Sequence, residues 1–366
     1  MNIKSVSFLG LGLIGGSIAK ALRETYPDIH IYTHAGHEET IEKAHKDGVS
    51  DNGVKLELRD LCKSDIVFLC APVGINSDYL GQIAPLVGPD TIITDVGSVK
   101  GDIHIRADEL GLSGSFVGGH PMTGSEKIGY DHSSPSLLVN AYYILTAEDE
   151  KAKEKLRMLH DFIKPLGPVM LSLTPELHDF ATGAISHLPH VVSAALVNTV
   201  SANETDDELL KMIAAGGFRD ITRISSSSPV MWEHILRANK TEVIKLIDLY
   251  TGSLSDFQKA LLADDYDSIR DLFSNAKDYR DSLSVKKKGA LTPSYSFFCD
   301  LFDEAGQIAA VAAILAASGL SIKNIGIVHN REFEEGVLQV EMYDETSLER
   351  SIELLKRHNY TIHEKR

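Results

Sequence analysis

The feature that most constrains this chain is a cluster of three glycines near its N-terminus. Gly10, Gly12 and Gly15 follow the apolar run 6–9 and precede the helical run 17–22. In that context Gly10 allows a tight turn, Gly12 lets backbone approach a pyrophosphate, and Gly15 lets helix and strand pack closely. The N-terminus of the helix then offers N–H groups to the phosphates. The motif predicts a dinucleotide-binding unit that begins with its first strand.

The rest of the N-terminal half supports an α/β fold of the Rossmann type over residues 1–172. Short apolar, β-branched runs predict strands at 6–9, 29–33, 66–70, 91–95, 116–118 and 142–145. Helical patterns separate the first few, which is typical of βαβ units and a parallel sheet.

Two changes of pattern then predict two further domains. Residues 173–288 have a helical pattern with few strand signals, and Thr174 and Ser228 are each followed by Pro, as at helix starts. We expect an all-α domain there whose apolar faces form a homodimer. After the exposed linker 286–288, residues 294–366 show a βαββαβ order, with strands at 295–300, 322–328, 337–343 and 360–363 and helices at 304–317 and 347–357. That order predicts a ferredoxin-like fold.

Composition excludes several classes of partner. The net charge of −16 argues against nucleic acid or an anionic membrane, because phosphates require a surplus of Lys and Arg. The three cysteines, Cys62, Cys70 and Cys299, are widely spaced, which favours a reducing, cytoplasmic compartment without disulfides or zinc. We interpret the apolar N-terminus as a strand and turn, and no other stretch as long and apolar enough to cross a bilayer.

The choice of cofactor stays open at the second strand, with NAD favoured over NADP. An acidic residue about twenty positions after the glycines usually holds the ribose of NAD, but the strand ends Thr33-His34 and Glu38 comes too late. His34 and His37 could meet a 2′-phosphate weakly, or they could be exposed loop histidines. We expect the cofactor site to comprise Gly10, Gly12, Leu13, Ile14, Gly15, Thr33, His34 and Pro72.

Candidate catalytic residues follow two later strands. Ser98 lies in the segment 95–101 and His120 in 116–122, so both are expected at the carboxyl edge of the sheet, where ligands bind. Arg219 and Arg223 are four residues apart and share a face if helical, which suits a substrate with two carboxylates. Each also has an ordinary structural explanation. His120 could be a satisfied loop histidine, and the arginines could pair with Asp220 or Glu204.

A metal site is not expected in this chain. His187 and His190 are close in sequence, but Pro189 distorts the helix between them and no third ligand is evident.

Taken together, six segments resemble the prephenate dehydrogenase family. They are GLGLIGGS at 10–17, DVGSVKG at 95–101, GGHPMTGSEKIG at 118–129, ISHLPH at 185–190, GGFRDITRISSSSPVMW at 216–232 and AKDYRDSL at 276–283. Residues 294–366 are similar to an ACT domain. GGHPM with GGFRD is far more specific than the glycine motif, and the resemblance covers nearly the whole chain.

The resemblance implies the oxidative decarboxylation of prephenate to 4-hydroxyphenylpyruvate in tyrosine biosynthesis, with hydride transfer to NAD⁺. His120 would take the proton of the ring hydroxyl, and Ser98 would share that contact. Arg223 would bind the ring carboxylate, with Arg219 and His190 near the pyruvyl end. The remaining expected pocket residues are Glu126, Gly216 and Trp232.

The ACT resemblance implies feedback regulation, with tyrosine as the expected ligand near Asp303, Gly306 and Asn324. Two other dehydrogenases and one non-catalytic protein are alternatives to a prephenate dehydrogenase. An arogenate dehydrogenase differs only in the substrate amine. A β-hydroxyacid dehydrogenase would want a lysine in the helix 174–201, which has none. A non-catalytic sensor would not need Ser98, His120 and Arg223.

Overall fold

The computed structural model describes residues 3–124, 127–283, 295–300, 306–328 and 337–364. The chain divides into two compact units, Met1–Ala290 and Leu291–Arg366. The first unit contains both the predicted Rossmann segment and the predicted helical segment. The predicted linker 286–288 lies outside the described residues.

A sheet of seven strands in the described part forms the centre of the first unit, in the order β2-β1-β3-β4-β5-β6-β7. The strands are β1 (Ser5–Leu9), β2 (His30–His34), β3 (Ile66–Leu69), β4 (Ile92–Asp95), β5 (Phe116–Pro121), β6 (Tyr142–Thr146) and β7 (Val169–Leu173). β1 to β5 are parallel, as expected, and the residues of β3 and β4 are buried throughout, as in a sheet covered on both faces.

The sheet is not parallel at one edge. β6 runs antiparallel to β5, and β7, which the sequence analysis missed, runs parallel to β6. The described chain between β5 and β6 holds two short 3₁₀ turns, Tyr130–His132 and Pro135–Leu137. A parallel neighbour normally requires a helical crossover. A helix connects β6 and β7, whereas no α-helix lies in the described chain between β5 and β6.

Six helices connect these strands. They are α1 (Leu13–Thr25), α2 (Glu38–Lys46), α3 (Leu58–Leu61), α4 (Val73–Ile83), α5 (Gly101–Glu109) and α6 (Glu150–Ile163). Two apolar clusters result. One, around Phe8, Phe68 and Leu159, packs α1 and α6 against the sheet, and the other, around Leu69, Leu80 and Ile103, packs α4 and α5.

The second half of the first unit is helical, as predicted. It contains α7 (Pro175–Thr182), a π-helical segment Gly183–His187, α8 (Leu188–Ala202), α9 (Leu209–Ile213), α10 (Gly216–Thr222), a 3₁₀ turn Arg223–Ser226, α11 (Pro229–Ala238), α12 (Lys240–Leu262) and α13 (Tyr266–Ser282). Both predicted caps are confirmed, because Thr174 accepts a hydrogen bond from Leu177 N and Ser228 accepts one from Met231 N.

These helices leave much apolar surface uncovered in the protomer. Of the described residues of α8 only Ser193 is buried, and none of α13 is. Large apolar side chains are exposed along the helices, among them Ile185, Leu249, Leu254, Leu262, Phe273 and Tyr279. Uncovered apolar area of this kind is typical of a surface that another chain covers.

One expectation about membranes requires correction. α7, the π segment and α8 form a continuous helix, Pro175–Ala202, that is long and apolar enough by length and composition to cross a bilayer, with 22% of its most apolar window buried. The sequence predicts a helix over 174–201 that is distorted at Pro189, and the structure accommodates this proline near the start of α8, directly after the π-helical segment. Length and composition alone are weak evidence for a membrane span.

The second unit has the predicted βαββαβ order. Its described elements are β8 (Tyr295–Asp300), α14 (Gln307–Ala317), β9 (Ile322–Val328), β10 (Val337–Met342), α15 (Glu345–Arg357) and β11 (Ile362–Glu364). The strands form an antiparallel sheet in the order β11-β8-β10-β9. Phe297, Val311, Leu338 and Leu355 lie in its separate core.

Candidate active site

The glycine turn lies where the sheet reverses its strand order. β1 leads to β2 on one side, whereas β3 leads to β4 on the other, and the crevice between the ends of β1 and β3 is where such sheets bind ligands. Gly10 has φ +99°, and a Cβ there would lie 2.7 Å from Ala71 N. Any other residue at position 10 would therefore push the turns after β1 and β3 apart. Pro72, exposed at the start of α4, follows directly on the second turn.

The space above this turn fits a pyrophosphate. A Cβ on Gly12 would have no heavy atom within 4 Å, whereas one on Gly15 would lie 2.8 Å from Cys70 Cβ. Gly12 is therefore open and Gly15 is needed for close packing, as the motif predicts. α1 begins at Leu13 and Ile14 without a side-chain cap, so its first N–H groups remain available to an anion.

The end of β2 differs from expectation. Thr33 is fully buried, with Oγ1 2.9 Å from Ser50 Oγ, and its backbone N–H donates to Asn52 Oδ1. The Thr33 side chain therefore faces the protein interior. His34 is the last residue of the strand and is also buried, edge-on to Tyr79, so the description of it as an exposed loop histidine is wrong.

Electrostatics at His34 disfavour a phosphate partner. Burial, with the nearby Lys55, lowers the pKa of His34, so the ring is neutral at physiological pH. His34 Nδ1 is one of the buried atoms without a hydrogen-bond partner among the described residues. A neutral ring with an unfilled hydrogen-bonding position is a weak partner for a 2′-phosphate but can bind a hydroxyl.

His120 lies inside β5, opposite Ile144 of β6, and not in a loop after the strand. Its Nδ1 is 2.8 Å from Nε2 of His178 on α7. On the other side of the ring, His178 Nδ1 lies 2.7 Å from Asp179 Oδ1. Burial, reinforced by His178, Lys100 and His187, lowers the pKa of His120 well below its ordinary range. The ring is therefore a neutral proton acceptor at physiological pH.

The loop that carries Ser98 is tied to the strand of His120 by a buried ion pair. Lys100 Nζ pairs with Asp95 Oδ2 and also donates to Gly119 O at 2.8 Å. Asp95 in turn accepts from Gly119 N at 3.1 Å and from Gly97 N at 2.9 Å. These contacts fix the half-buried Ser98 and His120 at the ends of neighbouring strands.

The predicted substrate arginines lie at the C-terminal end of α10. Arg219 is on that helix and Arg223 caps it in helical backbone, so the two stay one turn apart on a solvent-exposed surface. Gly216, also exposed, begins the helix. Glu204 does not pair with Arg219 in the ion pairs described, because it accepts the backbone N–H groups of Leu210 and Lys211.

His190 and Trp232 stack on each other, with ring centroids 3.9 Å apart and planes 28° apart. His190 Nδ1 lies 2.9 Å from Ser186 O, whereas His187 Nδ1 lies 3.0 Å from Asn239 Nδ2. The two histidines thus have different partners, and the described residues contain no group of three potential metal ligands.

Other predicted residues lie outside this arrangement. Glu126 and Asp303 fall outside the described residues. Gly306, in the second unit, has φ +95° at the start of α14, and Asn324 Oδ1 accepts a hydrogen bond from Ile325 N.

Sequence reasoning missed the second layer of the site. His178, Asp179, Asp95 and Lys100 are all nearly or fully buried, and each bonds to another member of the site or to its backbone. The available signal was the polar pair His178-Asp179, which follows Glu176 and Leu177 near the start of α7. Spacing could not show it, because adjacent helical residues do not share a face.

Two family models match this chain. The family model for the prephenate dehydrogenase nucleotide-binding domain matches residues 18–172, and the model for the prephenate dehydrogenase dimerization domain matches 174–275. A prephenate dehydrogenase of Bacillus subtilis is 36% identical over 349 residues, which cover 95% of this chain and 94% of the relative.

Two solved structures extend the likeness. A prephenate dehydrogenase of A. aeolicus, in complex with hydroxyphenyl propionate and NAD⁺, matches with a TM-score of 0.72 and 31% identity, over 78% of this chain and 99% of that one. An arogenate dehydrogenase of Synechocystis matches with a TM-score of 0.69 and 31% identity, over 76% and 100%. This chain therefore belongs to the prephenate dehydrogenase family.

Proposed function

We propose that the chain catalyses the NAD⁺-dependent oxidative decarboxylation of prephenate to 4-hydroxyphenylpyruvate, the step that leads to tyrosine. The observation that carries this proposal is His120, a half-buried and neutral imidazole near the carboxyl end of β5. Its strand, β5, lies beside β4, and the Ser98 loop follows β4. The glycine turn lies in the same sheet, at the point where the strand order reverses. A base and a dinucleotide-binding turn at one sheet edge suit hydride removal from an alcohol.

In this mechanism His120 accepts the proton of the C4 hydroxyl while Ser98 holds the oxygen. When bound, NAD⁺ accepts the hydride that leaves C4. The bond from C1 to its carboxylate breaks, carbon dioxide departs, and the electron pair enters the ring. His120 then returns its proton to the ring oxygen to give the phenol. Because aromatisation drives the reaction, positioning and electrostatic complementarity can supply most of the catalysis.

Cations on α10 fit the two carboxylates of the substrate. Arg223 is assigned to the ring carboxylate, and Arg219 with His190 to the pyruvyl end. Gly216 leaves room at the helix start, and Trp232, stacked on His190, forms a wall. Guanidinium groups suit this task because each can donate two hydrogen bonds to one carboxylate. Glu126 is assigned to the same pocket from the family motif alone.

NAD⁺ is preferred over NADP⁺ in this proposal. The buried, neutral His34 offers no charge to a 2′-phosphate. The A. aeolicus relative was solved with NAD⁺. The pyrophosphate is assigned to Gly10, Gly12, Gly15 and the first turn of α1, beside Pro72.

We also propose that the exposed apolar helices pair two chains into a homodimer. The matching family model describes a dimerization domain, and the uncovered side chains of α8, α12 and α13 provide the surface. Light scattering should give twice the chain mass of 40.0 kDa. A monomeric mass with full activity would contradict this part of the proposal.

The function is tested by initial rates of the full-length protein in four combinations, prephenate or arogenate with NAD⁺ or NADP⁺. The greatest kcat/KM is expected for prephenate with NAD⁺, with one 4-hydroxyphenylpyruvate formed for each reduced cofactor. Arogenate is the second candidate, because the Synechocystis relative is an arogenate dehydrogenase. A higher kcat/KM for arogenate, with tyrosine as product, would replace prephenate as the substrate.

A further inference from the structure

Two buried side chains, His178 and Asp179, continue inward from the half-buried His120. His178 is completely buried on α7, and its ring centroid lies 5.0 Å from that of His120. His178 Nε2 is 2.8 Å from His120 Nδ1, and His178 Nδ1 is 2.7 Å from Asp179 Oδ1. His120 is thus joined to a carboxylate through a second histidine.

Backbone N–H groups hold Asp179, the innermost of these side chains, in place. Asp179 Oδ1 accepts a hydrogen bond from Lys100 N at 2.8 Å, and Oδ2 accepts one from Gly101 N at 2.7 Å. These N–H groups form the N-terminus of α5, where a negative charge is favoured. Asn239 Nδ2 also donates to Asp179 O at 2.8 Å. The carboxylate therefore cannot turn away from His178 without losing two bonds to α5.

The direction of the hydrogen bonds follows from the carboxylate. An ionised carboxylate only accepts, so Nδ1 of His178 must be the donor. A neutral His178 then has a bare Nε2, which accepts from Nδ1–H of His120. Nε2 of His120 is left with a free lone pair. The reverse direction would require a doubly protonated His178, and burial lowers the pKa of both His178 and His120, which disfavours a cation at either ring.

We propose that His178 and Asp179 are positioning residues that hold His120 in the tautomer with a bare Nε2, ready to accept the hydroxyl proton. In the proton-transfer step the substrate O–H bond breaks and an Nε2–H bond forms on His120. The Nδ1–H of His120 stays bonded to His178, and Asp179 stabilises the positive charge that develops along the chain. The proton returns to the ring oxygen when the phenol forms, so no net proton is gained or lost. This inference rests on the proposed function for the identity of the proton donor.

Asp179→Asn is the sharpest test, because it keeps the shape and reverses one hydrogen bond. With its amide nitrogen in the position of Oδ1, the new side chain would donate to His178 Nδ1 and lose the bond from Lys100 N, while its amide oxygen would still accept from Gly101 N. His178 would then carry its proton on Nε2 and force His120 into the tautomer with Nε2–H. We expect kcat to fall by roughly a hundredfold to ten-thousandfold, with KM for prephenate little changed.

The tautomer of His120 can be determined by NMR spectroscopy without any enzymatic reaction. In protein labelled with ¹⁵N at histidine, the His120 signals, assigned by their loss in His120→Asn, should show a protonated Nδ1 and a bare Nε2. In Asp179→Asn, Nδ1 of His120 should be bare and Nε2 protonated. Asp108→Asn is the matched control, because Asp108 is an exposed carboxylate in the last turn of the same helix, bonded to Ser113. It should change neither the rate nor the tautomer.

A second pair of variants covers the case in which Asp179→Asn does not fold. His178→Gln can donate to Asp179 through its amide nitrogen and accept from His120 through its oxygen, so it should retain much more kcat than His178→Leu. Equal losses in the two variants would contradict the relay, as would a wild-type His120 that is protonated at Nε2 and bare at Nδ1. If the tautomer exchanges but the wild type oxidises neither prephenate nor arogenate, the relay stands and the proposed function fails.

Discussion

The carboxylate of Asp179 caps the helix that begins at Gly101, with Oδ2 2.7 Å from Gly101 N. This contact joins the first helix of the predicted substrate-binding region to the helix that follows the Ser98 loop. A Cβ at position 101 would lie only 2.9 Å from the same oxygen. A side chain at position 101 would therefore occupy space that the Asp179 carboxylate fills.

Gly101→Ala should weaken catalysis without altering any polar side chain of the site. The added methyl group displaces the Asp179 carboxylate and lengthens its bonds to α5 and His178. Loss of one charged hydrogen bond is worth about 1.5–3 kcal/mol, so kcat should fall by roughly ten- to a hundredfold. The control is Gly88→Ala, where the new Cβ meets its nearest neighbour at 3.8 Å. Equal rates in the wild type and Gly101→Ala would contradict this role.

Acid should destabilise the first unit through His104. Burial, followed by the nearby Lys100, lowers the pKa of His104 from 6.5 to about 4. The unfolded chain binds this proton at a higher pH than the folded chain, so the stabilisation is complete above 6.5 and is lost as the pH falls towards 4. The loss is at most about 3 kcal/mol.

His104→Gln tests this pH dependence by subtraction. Urea unfolding can be followed by the fluorescence of Trp232, the only tryptophan, at several values of pH between 7 and about 4. The variant should lose less unfolding free energy over this range than the wild type. Parallel curves for the two proteins would show that His104 does not titrate on unfolding.

Much of the fold was predictable because short segments of sequence determine many of its turns, helix caps and strands. The glycine turn, the Thr174 and Ser228 caps and the βαββαβ order of the second unit are encoded by short segments. β7 was missed because Val169–Leu173, although apolar at four of its five positions, is short and its residues are only partly buried or exposed. The direction of β6 depends on the connection before it and not on its own residues.

The site was predictable only where a side chain stands in a recognisable motif. His120 and Ser98 were found this way, but the pairing of His120 with His178 depends on how α7 packs beside β5, 58 residues apart in sequence. Thr33 shows the opposite error. It lies next to the last residue of the second strand, yet its side chain bonds to Ser50 inside the protein.

Arg223→Ala should mainly raise KM for prephenate. The guanidinium is proposed to bind the ring carboxylate in substrate and transition state alike, so its loss should cost about 2–5 kcal/mol in kcat/KM with a smaller effect on kcat. Arg237→Ala, on the exposed face of α11, is the control and should leave both constants unchanged. An unchanged KM in Arg223→Ala would remove this residue from the proposed pocket.

Tyrosine is expected to inhibit through the second unit. Gly306 lies in left-handed backbone at the start of α14, where close approach of a ligand carboxylate is favoured, and Asp303 and Asn324 are the other proposed contacts. A truncated chain ending at Gly289 should keep most of its activity and lose inhibition by tyrosine. Competitive inhibition that survives truncation unchanged would show that tyrosine acts at the active site instead.

The central claim, that His120 is the base of a prephenate dehydrogenase, is tested most directly by initial rates of wild type and His120→Asn with prephenate and NAD⁺. The wild type should form reduced cofactor and 4-hydroxyphenylpyruvate in equal amounts. The variant should lose roughly a hundredfold or more in kcat, the usual effect of removing a general base, while KM for prephenate changes much less. A near-normal kcat in His120→Asn, or a wild type that does not oxidise prephenate, would contradict the account.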